Sequence, residues 1–176
     1  MHTVEEARTR IEREYGENAK YILNCYEVRD ALEGVERSIK NENTLLKDHY
    51  FDSAMREAKF FNERRLSPIN IKVGDGVTVH LWSDAHAATV IKKTRCTITV
   101  QYDKATLSPD FKPEFVTGGF CAHCTNQNEQ TYTYEKDENG RIETYRWSDK
   151  RIRYQGGGDG SIYLTKGRHE FYDYNF

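Results

Sequence analysis

The sequence predicts an α+β protein in which N-terminal helices precede a mostly antiparallel β domain. Apolar residues recur at helical spacing over the first third of the chain, and from Ile71 onward they alternate with a period of two. Ser67-Pro68 separates the two patterns, because the residue before a proline leaves the α region. We therefore expect a helical segment over residues 1–66 and an antiparallel β domain over residues 67–176.

Three helices are expected in the first segment. Thr3 and Glu6 have the spacing of a capping box, and Gly16 offers a stop signal. A broad apolar stripe then favours one long second helix, which Asn41 and Asn43 interrupt. The three predicted helices are residues 3–16, 19–39 and 52–65.

Strands are expected wherever β-branched and aromatic residues alternate with polar ones. Asn139-Gly140 predicts a tight hairpin between residues 131–135 and 141–147. Residues 103–130 contain two prolines and a glycine pair, so we expect them to form loops. The predicted strands are residues 77–82, 88–94, 97–102, 131–135, 141–147, 151–155, 161–164 and 168–176.

Composition narrows the class of protein. Aromatic residues make up 12% of the chain, which indicates a globular protein because disordered chains are poor in them. The net charge of −2 does not favour general attraction to nucleic acid. The N-terminus has no apolar signal region and no run approaches a membrane span, so we expect no membrane association and a location in the reducing cytoplasm.

The motif Cys121-Ala-His-Cys124 follows the glycine pair Gly118-Gly119. In a reduced protein, close cysteine and histidine side chains favour metal binding, and zinc accepts four such ligands in structural sites. A second CxxC motif is absent, so histidines would complete the site. A three-residue loop after Trp82 would place His80, Trp82 and His86 on one sheet face. The candidate zinc ligands are Cys121, His123, Cys124, His80, His86 and His169.

Two other interpretations of this motif stay open. Cys121 and Cys124 could be two reduced thiols in a turn, or a redox pair, although no βαβ pattern surrounds them. Cys124 with His169 and Asn126 or Asp173 would supply a nucleophile, base and orienting group, but their spacing does not favour that arrangement. The sequence has no P-loop and no GxGxxG motif. We therefore expect a protein that is not an enzyme.

Residues 73–103 resemble the start of small Tudor-like or KOW-like barrels. The resemblance is carried by Gly74-Asp75-Gly76-Val77, the acidic turn Ser83-Asp84, and Ala88-Thr89-Val90. It implies that the β domain begins as a small barrel. The sequence departs from the pattern at Ala85-His86-Ala87, where many such barrels have aromatics, and this leaves Trp82 and Tyr102 as candidates for an aromatic cage.

A longer part of the β domain looks like small accessory proteins of bacteriophages and mobile elements. This similarity covers "HLWSDAHAATVIKKT", "FKPEFVTGGF", "HCTNQNEQTYTYE", "NGRIETYRWS" and "GRHEFYDYNF". Some proteins of that kind are anti-CRISPRs, which bind and block RNA-guided nucleases, and at least one type contains zinc. The resemblance implies a phage-type inhibitor that binds a Cas effector nuclease in the bacterial cytoplasm, with a structural zinc ion.

The alternative function is nucleic-acid binding. Three basic residues cluster at one hairpin end, and further basic residues interleave with aromatics in a way that suits stacking on single strands. The other interpretation is a solvated sheet face with cross-strand ion pairs. The residues concerned are Lys92, Lys93, Arg95, Arg141, Tyr145, Arg146, Trp147, Lys150, Arg151, Arg153 and Tyr154.

Overall fold

The structure is a computed structural model that describes residues 2–118 and 121–175, without the side chain of Cys121. The chain divides into two compact units. The helical unit comprises Met1–Ile71 and Ser148–Arg153, and the β unit comprises Lys72–Trp147 and Tyr154–Phe176. Helices followed by an antiparallel sheet confirm the predicted α+β class.

Local capping sets the first helix of the helical unit. The side chain of Thr3 accepts a hydrogen bond from the Glu6 N–H at 3.1 Å, as the capping box predicts. Gly16 ends the helix with a φ of +53°, a conformation that favours glycine. The helices are α1 Val4–Tyr15, α2 Ala19–Asn24, α3 Tyr26–Lys40 and α4 Thr44–Arg64, with a 3₁₀ turn at Gly16–Asn18.

The apolar stripe predicts a single long second helix, and this prediction is wrong because the helix is interrupted at Cys25. Cys25 is extended, and its thiol donates to Glu27 at 2.6 Å. Arg65 donates to the Cys25 sulfur at 3.3 Å and also pairs with Glu27. Burial, together with the Glu27 hydrogen bond, raises the pKa of the Cys25 thiol to about 11. These contacts join the start of α3 to the residue that follows α4.

Helices α3 and α4 pack against each other along an antiparallel seam. A Cβ atom at Gly34 would lie 2.5 Å from the ring of Tyr50, so only glycine allows this approach. Helix α4 begins eight residues before the predicted start, because the Asn43 side chain caps it at the Leu46 N–H. No helix in residues 2–118 and 121–175 is long and apolar enough to cross a membrane.

Six strands of the β unit form a closed antiparallel barrel in the order β1-β10-β9-β8-β3-β2. Two further pairs, β4–β7 and β5–β6, form separate two-stranded ribbons. The strands are β1 Gly76–His80, β2 Ala85–Lys93, β3 Thr97–Tyr102, β4 Lys104–Leu107, β5 Phe115–Gly118, β6 Cys121–Cys124, β7 Tyr132–Glu135, β8 Ile142–Ser148, β9 Arg153–Gly156 and β10 Ile162–Lys166.

Alternate residues of each barrel strand fill its interior. Val79 lies opposite Leu164, and Ile98 lies opposite Tyr145, and all four side chains are buried. Tyr145 and Tyr154 are the largest fully buried side chains among the described residues. A Cβ atom at Gly156 would lie 2.9 Å from the Tyr145 ring, so this glycine makes room for that tyrosine in the core.

Asn139-Gly140 predicts a hairpin between the strands on either side of it, and this pairing is wrong. Strand β7 pairs with β4, while β8 pairs with β3 in the barrel. The turn itself forms, since the Gly140 N–H donates to the Asp137 carbonyl at 3.0 Å. A Cβ atom at Gly140 would lie 2.1 Å from the Tyr102 carbonyl oxygen. The turn therefore passes the chain from a ribbon into the barrel.

Two other predictions fail in the C-terminal half. Residues 103–130, which were expected to form loops, contain strands β4, β5 and β6. The expected strand at 168–176 is instead an irregular segment that forms a single β-bridge, between Phe171 and Ala85, within its described part. We call residues 167–175 the C-terminal strap.

Candidate functional site

The C-terminal strap follows β10 and is bonded to the start of β1, to the start of β2 and to the turn between them. The Gly167 N–H donates to the Gly76 carbonyl at 3.0 Å, and the Phe171 N–H donates to the Ala85 carbonyl at 2.8 Å. The side chain of Asp84 then accepts the Asp173 N–H at 2.8 Å. The strap is thereby fixed to the barrel along most of its length.

Side-chain amides replace a partner strand for the rest of the strap. Gln130 accepts the Tyr172 N–H at 3.2 Å and donates to the Tyr172 carbonyl at 2.8 Å. Asn175 makes the same reciprocal pair with the backbone of Cys124, at 2.6 and 3.1 Å. The strap therefore joins both ribbons to the barrel, because Gln130 precedes β7 and Cys124 ends β6.

Aromatic side chains accumulate on and beside the strap. Tyr172 contacts Tyr174 edge-to-face with ring centroids 4.9 Å apart, and Tyr174 lies 6.2 Å from the rings of both Phe111 and Phe115. Trp82 lies in the turn that Asp84 anchors. Trp82 is 83% exposed, Tyr172 54% and Phe115 51%. We call these five residues, Trp82, Phe111, Phe115, Tyr172 and Tyr174, the strap surface.

Acidic residues outnumber basic ones in the segments around the strap surface. The segments that carry or hold it are residues 82–84, 110–115, 127–130 and 171–175, and they contain Lys112 as their one Lys or Arg. Their five acidic residues are Asp84, Asp110, Glu114, Glu129 and Asp173. Exposed aromatics beside carboxylates are typical of a surface that accepts a cationic partner.

The ion pair between His86 and Glu170 fastens the strap next to this surface. His86 Nδ1 lies 2.8 Å from Glu170 Oε1, and the other carboxylate oxygen accepts the Ala87 N–H at 2.8 Å. The hydrogen bond to Glu170 raises the pKa of His86 above its usual value, against the partial burial that would lower it. The nearby charges of Asp84 and Arg141 act in opposite directions.

A second polar cluster centres on Glu143, a residue of β8. Its carboxylate accepts hydrogen bonds from Tyr102 at 2.8 Å and Tyr145 at 2.5 Å, and it pairs with Arg141. Burial alone would raise the pKa of Glu143, but these donors outweigh it and the pKa lies below its usual value. Burial raises the pKa of Tyr102 to about 12. The cluster stabilises a charged carboxylate and orders the barrel interior.

The structure places the predicted zinc ligands at several separate positions. His123 is exposed on β6 opposite Val116, whereas Cys124 is buried, with its sulfur 3.5 Å from Asn126 Oδ1. The side chain of Cys121 lies outside the described residues. The backbone of the motif is a strand that pairs with β5, not a turn.

The prediction that His80 and His86 share one sheet face is wrong. The turn contains four residues, so His80 lies opposite Ala85, and His86 lies opposite the buried Val79. His80 therefore faces outward, stacked on Tyr163 with a centroid distance of 4.7 Å and bonded to Thr165 at 2.8 Å. His86 lies on the other face and pairs with Glu170.

His169 is exposed and stacks against Phe171. Burial and the nearby charge of His169 lower the pKa of His80, so these two histidines are neighbours. Among the residues that the structure describes, no three His, Cys, Asp or Glu side chains are grouped to hold a metal ion. The described candidates therefore do not fit a four-ligand zinc site, and zinc binding stays a prediction.

The structure also corrects the prediction that basic residues and exposed aromatics interleave on one nucleic-acid-binding face. Tyr145 and Tyr154 are buried in the β unit, and Trp147 contacts Tyr154 edge-to-face. Because two of the three aromatics face the core, they are not available to stack on bases. Arg141 and Arg146 are exposed, so the basic part of that face is at the surface.

Sequence reasoning missed Gln130, Glu170 and Asn175, which hold the strap. Each is an ordinary polar residue in a segment expected to be loop or strand. The only available signal was the density of aromatics in "EFYDYNF", which indicated a contact surface but not how the segment is held. No protein-family model, curated protein or solved structure matches this chain.

Proposed function

We propose that the protein is a non-enzymatic binding protein that uses the strap surface to dock on a basic surface of another protein. The observation that carries this proposal is the exposure of Tyr172 on the strap, of Trp82 in the turn bonded to it and of Phe115 opposite Cys124, which is also bonded to it. Trp and Tyr are enriched among residues that dominate binding energy. Because the strap is already ordered, docking loses little conformational entropy.

The acidic residues around the strap surface define the partner. Exposed arginines stack on aromatic faces and pair with carboxylates, so an arginine-rich surface satisfies both features at once. Proteins that bind nucleic acid expose such surfaces to phosphate. We therefore propose a partner with a nucleic-acid-binding groove, which the strap surface would occupy in place of nucleic acid.

Within that class we propose an RNA-guided nuclease, so that the protein acts as an anti-CRISPR of phage type in the bacterial cytoplasm. The support is the resemblance of the β domain to phage accessory proteins together with the acidic aromatic surface. The proposed mechanism is occlusion of a basic groove. It needs no metal and no chemical step.

DNA cleavage by a panel of purified, guide-loaded nucleases tests this proposal. We expect near-stoichiometric inhibition of at least one nuclease, and protection when target DNA is bound first. The double variant Trp82→Ala/Tyr172→Ala should raise the half-inhibitory concentration by at least about 100-fold, since such anchors contribute about 2 kcal/mol or more each.

The matched control is Tyr26→Ala, which removes a 75% exposed aromatic from the helical unit. It should inhibit as strongly as the natural sequence. If no nuclease is inhibited, the anti-CRISPR proposal is wrong. If inhibition survives in the double variant, the strap surface is not the binding site.

A further inference from the structure

The outer face of strands β2, β3 and β8 carries a second surface of opposite charge. Ile98 and Val100 face the barrel core, so the alternate residues of β3 face outward. In the same register, Lys92 lies opposite Thr99, and Thr97 lies opposite Arg146. The outward residues of this face, with the turn beside it, are Lys92, Thr94, Arg95, Thr97, Thr99, Gln101, Ile142, Thr144 and Arg146.

The nine residues of this face include no Asp or Glu. The Asp103 carboxylate just beyond β3 hydrogen-bonds Thr89 and is paired with Arg168. The nearest acidic residue in β8 is Glu143, which lies opposite Val100 and accepts bonds from two inward tyrosines.

Lys92, Arg95 and Arg146 are exposed, and no ion pair in the described residues involves them. Within the described part of the chain, their charges are therefore not paired. Cross-strand ion pairs, the other interpretation from sequence, therefore do not involve these three residues in the described part of the chain.

Hydroxyl groups fill the space between the cations. Thr99 and Thr144 are cross-strand neighbours with their oxygens 2.9 Å apart, and Thr94 and Thr97 are similarly paired at 2.7 Å. Threonine hydroxyls and basic side chains are the groups that contact phosphate oxygens in nucleic-acid complexes. The face offers both kinds and has no exposed aromatic for stacking.

The spacing of the cations suits a phosphate backbone. Lys92 and Arg146 are separated by two strand spacings and one two-residue step, which is about 12 Å between their Cα atoms. This distance exceeds the rise of about 3.4 Å between successive phosphates of one duplex strand, so the two cations would contact phosphates that are not adjacent. Arg95, in the turn between β2 and β3, extends the same face.

We infer that the outer face of β2, β3 and β8 binds the phosphate backbone of nucleic acid without reading its sequence. This surface is separate from the strap surface and uses different residues. The sequence led us to expect aromatic side chains that stack on bases. On this face, Lys92, Arg95 and Arg146 instead act through their charge, and the threonines act through hydrogen bonds. A protein with both surfaces can occupy the groove of a nuclease and contact nucleic acid that lies outside that groove.

Fluorescence anisotropy with a labelled 20-base-pair DNA duplex and a labelled 20-nucleotide RNA tests the inference. Three phosphate contacts predict a salt slope of about −2.7 for the duplex and about −2.1 for the single strand. Affinity should therefore fall about 40-fold and about 20-fold between 50 and 200 mM salt. The two probes distinguish a duplex from a single-stranded source of the phosphates.

Lys92→Glu/Arg146→Glu should abolish binding to both probes at 50 mM salt. The matched control is Arg13→Glu/Arg29→Glu, which makes the same change in net charge at exposed positions of the helical unit and should retain binding. Trp82→Ala/Tyr172→Ala should also retain it. The inference is overturned if neither probe binds at 50 mM salt with 100 μM protein, a concentration of the order expected for non-specific contacts. It is also overturned if the two charge-reversal variants lose the same amount of affinity for the probes.

Discussion

Removing the Glu170 carboxylate tests whether side chains fasten the C-terminal strap. In Glu170→Ala, the Ala87 N–H loses its 2.8 Å partner at a position where Ala87 is fully buried. An unpaired buried donor costs about 1–3 kcal/mol. The His86 ion pair is one-third exposed on its histidine side, so its loss adds only about 0.5–1 kcal/mol. We expect the free energy of unfolding to fall by about 1.5–4 kcal/mol.

Urea unfolding followed by tryptophan fluorescence measures this change. Both tryptophans, Trp82 and Trp147, lie in the β unit, so the signal reports the unit that contains the strap. Glu170→Gln keeps an acceptor for Ala87 and should lose less stability. Glu129→Ala removes an exposed carboxylate and should stay within about 0.5 kcal/mol of the natural sequence. A Glu170→Ala variant equally close to the natural sequence would refute the reasoning.

Three further predictions follow from other contacts. Because the folded-state pKa of His86 is raised, its ion pair stabilises the fold fully below about pH 6.5 and less as the pH rises through that folded pKa. In urea unfolding, the natural sequence should therefore exceed His86→Gln in free energy of unfolding by more at pH 6 than at pH 9. The reverse order would contradict this prediction. Gly140→Ala should lower the melting temperature, because the clash with Tyr102 reduces the stability of the fold by about 1–3 kcal/mol. Gly158→Ala is the control and should melt like the natural sequence, because an added Cβ there meets nothing within 4 Å. Equal melting temperatures for the two variants would contradict the tight turn. The zinc hypothesis requires about one zinc ion per chain in elemental analysis of the natural sequence. The Cys124→Ser variant should release the zinc and melt at a lower temperature. The hypothesis fails if the purified protein contains no zinc.

Features that depend on near neighbours in sequence were predictable. The Thr3 cap and the Gly16 stop each act within one helical turn, and the structure has both. The alternation in "VTVHLW" follows from burial of one strand face inside the barrel, and β1 forms there. Periodicity did not detect the break at Cys25, because the partner Arg65 lies 40 residues away.

The site was not predictable for the same reason. The strap is held by Gln130 and by the reciprocal pair of Asn175 with Cys124, and these partners are 42 and 51 residues apart in sequence. No local pattern marks such a contact. The pairing of β7 with β4 also depends on where the chain returns, so the Asn-Gly signal identified a turn but not its strands. The positions of His80 and His86 changed because one extra residue in a turn reverses the face of a side chain.

Affinity capture from a bacterial lysate, quantified by mass spectrometry, tests most directly whether the strap surface binds a basic protein. The natural sequence, Trp82→Ala/Tyr172→Ala and Tyr26→Ala serve as parallel baits. We predict that the natural sequence and Tyr26→Ala enrich the same nucleic-acid-binding protein, and that the double variant loses it by at least about tenfold. Added heparin should also displace it, since a polyanion competes for a basic groove. Equal enrichment by all three baits would contradict the account.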